Sequence, residues 1–149
     1  MSLESEIYRI FSNLHIGLYQ WVEDTVKILD DASSQMTASV SWDLINRKLK
    51  RQINKWYLLV DEAYDDVQEI VEKHGLDGMP PILENEIRTR YEPKLKALQN
   101  DCKEILDKYK NIVASNLEKE IVEELLLIAH GITIDNIISI IKEKDLDDD

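Results

Sequence analysis

The chain has 149 residues, 30 of them Asp or Glu against 18 Lys or Arg, for a net charge of −12. That length suggests one domain, and so acidic a surface disfavours direct binding to DNA, RNA or an anionic membrane, which are themselves negative. Four Gly and three Pro are too few for the turns of an all-β fold, and the single Cys102 rules out an internal disulfide and fits a reducing cytosol.

A first helix is expected over residues 1–31. Ser2 can cap it, and Glu4 and Glu6 suit its positive N-terminal end while arguing against a basic leader segment. Leu3, Ile7, Ile10 with Phe11, Leu14, Leu18, Trp21 with Val22, Val26 and Ile28 with Leu29 recur every three or four residues, as one buried stripe requires. Gly17 lies inside that pattern, where it costs about 1 kcal/mol against Ala, and permits a close helix contact. Residues 32–38 read as a polar connection.

The second helix, over residues 39–75, organises the rest. Ser39 or Ser41 caps it, and Trp42, Ile45, Leu49, Ile53, Trp56, Leu59 with Val60, Ala63, Val67 and Ile70 form its stripe, with Gly75 as the terminator. Its length is roughly 50 Å at about 1.5 Å per residue. Its charges are sorted: Arg47, Lys48, Lys50, Arg51 and Lys55 fill the first half, and Asp61, Glu62, Asp65, Asp66, Glu69 and Glu72 the second. Leu76 to Pro81 is a turn-rich loop.

A third helix is expected over residues 81–130, kinked or split near 93 and 115. Ile82 with Leu83, Ile87, Tyr91, Leu95, Leu98, Cys102, Ile105 with Leu106, Tyr109 and Ile112 with Val113 keep phase across Pro93, and Ser115-Asn116-Leu117-Glu118 has the form of a capping box. Ile121, Val122 and Leu125 to Ile128 are apolar on more than one side. Gly131 ends this segment, Thr133 caps a terminal helix over 133–144, and 145–149 is an acidic tail. The fold class is therefore all-α: an elongated antiparallel bundle of three long helices with one or two short C-terminal helices, in a single domain spanning 1–149. The short loop at Pro80-Pro81 predicts that helices two and three are neighbours, with the acidic half of helix two beside Arg88, Arg90, Lys94 and Lys96.

No catalytic, cofactor or metal constellation is legible. His15, His74 and His130 are scattered, and Glu62, Asp65, Glu69 and Glu72 offer only the one-turn carboxylate spacing of Mg-dependent helical nucleotide pyrophosphohydrolases. Residues 126–141 have the outline of a helix-turn-helix, but Asp135 would repel phosphate where a reading helix enters the groove, so a plain helical corner is expected. The longest uncharged run, Leu125 to Ile134, is about half a membrane span.

The interaction candidates are of three kinds. Arg47, Arg51 and Lys55 share one helical row and suit an anionic partner, or pair internally. Trp56 and Tyr57 are adjacent, point about 100° apart and cannot face one core together. Leu125, Ile128, Ile137 and Ile141 belong to the segment with most apolar surface, the expected place for a homodimer contact. The expected role is a non-catalytic, cytoplasmic protein-interaction or assembly subunit without a cofactor. The alternative is an acidic inhibitor occupying the nucleic-acid channel of a basic polymerase or nuclease, and the third is the hydrolase.

Overall fold

The computed structural model describes residues 2–34 and 41–147, without the side chains of 34, 112–114 and 143–147. Six helices follow in order: α1 (Leu3–Ser34), α2 (Trp42–Lys73), α3 (Pro81–Lys108), α4 (Lys110–Asn116), α5 (Lys119–His130) and α6 (Ile134–Asp147). No strand occurs among the described residues. The protein is an all-α bundle of three long helices with shorter ones at its C-terminal end. Ser39 and much of the expected polar connection lie outside the described residues, as do the side chains of Ile112, Val113 and the acidic tail.

Local signals set most helix ends. Ser2 Oγ accepts from the Ser5 N–H at 3.2 Å, and Ser41 Oγ accepts from the Leu44 N–H at 3.4 Å. Gly75 adopts φ +72°, the left-handed conformation that lets the chain leave α2 after His74. The Thr133 hydroxyl accepts from the Asn136 N–H at 3.1 Å. α1 runs beyond Asp31 to Ser34, because Ala32 continues its buried stripe. α3 passes through Pro93 with Leu83, Ile87, Tyr91, Leu95, Leu98, Cys102 and Leu106 buried in phase. Pro93 is exposed, so the carbonyl it leaves unpaired can meet water. The chain breaks instead at Tyr109 and at Leu117–Glu118.

The packing differs from the expected hairpin of α2 and α3. α1 packs along both α2 and α3, and α5 and α6 pack on the same two helices, so α2 and α3 sit at opposite corners. The Glu6 carboxylate meets Lys73 and His74, which sets α1 antiparallel to α2. Tyr8 meets Glu86, and Ser12 meets Tyr91, which sets α1 parallel to α3. Two physical reasons favour this arrangement. The seven residues from His74 to Pro80 reach up to about 23 Å, enough for a bundle diagonal of roughly 14 Å between helices about 10 Å apart. The apolar stripe of α1 is also wide, with Trp21 and Val22 or Ile10 and Phe11 adjacent, and it needs a neighbour on each side. The expected pairing of α2 acids with α3 bases is accordingly not formed. Arg88 pairs with Glu84 and Asp135, and Arg90 lies over the Tyr8 ring.

One contiguous core runs through α1, α2, α3, α5 and α6. Among the described residues, three polar side chains are buried in it, Thr25, Asn46 and Gln52, and two sets of contacts use them. Between α1 and α2, the Trp21 indole N–H donates to the Gln52 carbonyl at 2.5 Å, while the Gln52 amide donates to Thr25 Oγ1 at 3.1 Å and to the Trp21 carbonyl at 3.2 Å. Between α2 and α5, Asn46 Oδ1 accepts from the Glu118 N–H at 3.0 Å. That contact replaces the capping box read from sequence. Ser115 lies inside α4, Glu118 makes no side-chain cap, and α5 starts at Lys119 with its entry held from α2.

Candidate interaction surface

Trp56 and Tyr57 part as their adjacency demands. Trp56 is buried, and its ring forms a T-shaped pair with that of Tyr57, their centroids 5.2 Å apart. Tyr57 is 45% exposed, and its hydroxyl donates to Glu124 Oε2 at 2.9 Å. Partial burial, followed by that carboxylate, pushes the phenol above its ordinary pKa, so it remains a donor at neutral pH.

Tyr57 stands at the edge of an open groove of about 670 Å³ between α2 and α5. Ile53 and Ile121 form its apolar floor, Lys50, Glu120, Glu123 and Glu124 its charged rim, and Leu127, 63% exposed, its far wall. The rim carries three carboxylates against one amine, and that amine is already 3.0 Å from Glu118. A second groove, of about 530 Å³, lies between α1 and α3. Val22, Val26, Leu98 and Ile105 line it, with Glu23, Asp101, Glu104 and Asp107 around it and only Lys108 to offset them. Hydrogen bonding to the Glu23 carboxylate raises the pKa of Tyr19 at its margin.

The other candidates are dispersed. Arg47 and Arg51 are exposed on the outer face of α2, and Lys55 is 3.6 Å from Asp24. Leu125, Ile128, Ile137 and Ile141 are all buried within the chain itself. These four side chains are thus taken up by the packing of α5 and α6 on α2 and α3. Gly131 makes this possible by ending α5 so that α6 turns 99° and lays its isoleucines on the same core. What remains outside is Leu126 and Leu127, one step along the helix from the residues the periodicity singles out. A long run of leucines gives no clue to which of its members face out.

No single helix among the described residues is long and apolar enough to cross a membrane. Among the same residues no group of three or more His, Cys, Asp or Glu is placed to hold a metal ion. The carboxylates of α2 do not share one cleft: Glu62 lies beside Arg9 and Asn13, whereas Asp65, Glu69 and Glu72 lie beside Gln68 and Asp77. Compared with known proteins, the chain matches no family model, and no curated protein or solved structure is detectably similar to it.

Proposed function

We propose that this protein is a non-catalytic interaction module that holds a segment of a protein partner in the α2–α5 groove. The observation carrying this reading is the pairing of two exposed anchors, Tyr57 and Leu127, with an apolar floor and a mainly acidic rim. Aromatic and leucine side chains around a cleft suit the apolar anchor of a bound segment. Carboxylates at the rim favour basic flanking residues on that segment and speed its approach. The matching occupant is a short amphipathic stretch with one apolar face and Lys or Arg beside it.

Affinity capture with the wild-type chain and with Leu127→Glu tests the reading. A defined protein retained by the wild type and lost by the variant, at unchanged helicity and Tm, supports it. Identical capture by both, or no specific protein in either, overturns it. A second reading, the acidic inhibitor of a basic polymerase or nuclease, draws support from the carboxylate-rimmed α1–α3 groove. It predicts a complex with such an enzyme that weakens steeply with salt and competes with nucleic acid.

A further inference from the structure

With α3 at the opposite corner, internal ion pairs account for only part of the charge sorting of α2, through Lys50 with Glu118 and Lys55 with Asp24. The sorting is concentrated on one line. Leu44, Lys48, Arg51 and Lys55 follow one another at spacings of four and three along the outer face of α2, and all are exposed. Leu58 comes next, 59% exposed. The same spacing then continues through Glu62, Asp65, Glu69 and Glu72, again all exposed. The row lies on the side of α2 away from its buried residues, with α1 reaching its margin only where Asp24 meets Lys55 and where Arg9 and Asn13 lie beside Glu62. Among the described residues, Lys55 makes the only ion pair of this row, to Asp24, and Lys48, Arg51, Glu62, Asp65, Glu69 and Glu72 make none.

From this we infer that the outer face of α2 binds a second copy of the same chain, antiparallel, about a two-fold axis at Leu58. The row is self-complementary only in that arrangement. Cations precede Leu58 and anions follow it, so reversing the partner brings Arg51 opposite Asp65, Lys48 opposite Glu69 and Lys55 opposite Glu62. A parallel pair would instead set like charges side by side along the whole row. A two-fold interface requires one patch to fit its own copy, and this one does. Its apolar content is small, essentially Leu58 at the centre, so the dimer is weak and salt-dependent. The face is separate from the α2–α5 groove, so a chain that is always monomeric would overturn the dimer and leave the groove reading standing.

Light scattering and sedimentation equilibrium of the full chain, across concentration and salt, provide the first test. The expected result is a dimer whose Kd rises about tenfold or more from low to high salt, as screened ion pairs require. The double variants K48E/R51E and D65K/E69K should each be monomeric alone and should dimerise when mixed. The fourfold swap K48E/R51E/D65K/E69K should restore self-association. Circular dichroism checks that each variant is folded, and Arg51→Gln with Asp65→Asn carries the same comparison where a reversal lowers helicity. Register is read by thiol cross-linking with diamide. Leu58→Cys should yield a covalent dimer, whereas Leu44→Cys, whose two copies would lie about 40 Å apart, should not. The buried Cys102 is out of reach in both. A single-chain mass at every concentration and low salt, a dimer indifferent to the reversals, or equal cross-linking at positions 44 and 58 would each overturn the inference.

Discussion

At the scale of single residues, the polar groups inside the bundle have the clearest energetic roles. Asn46 satisfies two helices at once: its amide donates to the Trp42 carbonyl at 2.8 Å and its oxygen accepts from the first N–H of the α5 entry at 3.0 Å. Replacing it by Leu keeps the bulk and strands the Glu118 N–H, so Asn46→Leu should lower stability by about 1–3 kcal/mol in denaturant unfolding. Glu6 lies between His74 and Lys73, and the hydrogen bond from His74, with Lys73 adding to it, holds its carboxyl below the ordinary value of 4.5. A depressed carboxylate adds stability that is present above its unfolded pKa and lost as pH falls through the folded one. Glu6→Gln should therefore reduce the loss of stability seen below about pH 4.5 by acid titration, with little change in shape at higher pH. Cys102 is the opposite case: burial pushes its thiol up to about 11, which leaves a small inert apolar group. Its place in the α3 stripe already shows that role in the sequence, whereas nothing in the chain near Asn46 announces that it reaches a segment 72 residues away.

Helices and their connections obey rules that are mostly local. Caps at Ser2, Ser41 and Thr133 and the stop at Gly75 follow from side-chain chemistry within four residues, which is why they are readable directly. Gly75→Ala should cost about 1 kcal/mol, the strain of a Cβ at positive φ, in thermal unfolding. Gly17 is equally legible as a close approach: a Cβ there would stand 2.9 Å from Leu59 Cδ2. The capping box at Ser115–Glu118 is the instructive exception. A valid local motif lost because the chain could satisfy the same N–H from α2 while α4 absorbed Ser115. Tertiary partners win such contests whenever a buried side chain offers a better-placed acceptor.

For the whole molecule, the decisive feature is that α5 and α6 complete the core instead of decorating it. Ile132, Ile134, Ile137, Ile138 and Ile141 are all buried, and α6 packs on both α2 and α3, with the Gln68 amide donating to the Ile141 carbonyl at 3.2 Å. Truncation after Gly131 should therefore abolish cooperative unfolding or leave an aggregation-prone chain, read by calorimetry and by dye binding to exposed apolar surface. Leu127→Glu, one position from the core, should leave Tm nearly unchanged.

An all-α protein, three long helices with their stripes, and the separation of Trp56 from Tyr57 are legible in the chain alone, because helical period and capping are properties of neighbouring residues. Packing in three dimensions was needed to show that α3 crosses to the far corner, that Leu125, Ile128, Ile137 and Ile141 are buried within the chain while Leu126 and Leu127 face out, and that most charges of α2 stay on the outside. Those outcomes depend on which helices share a core, and a stripe specifies that a face is buried without specifying against what. Charge sorting along α2 is visible in either case; its meaning changes for the acidic half, whose expected partners on α3 are found elsewhere, whereas Lys50 and Lys55 keep partners within the chain.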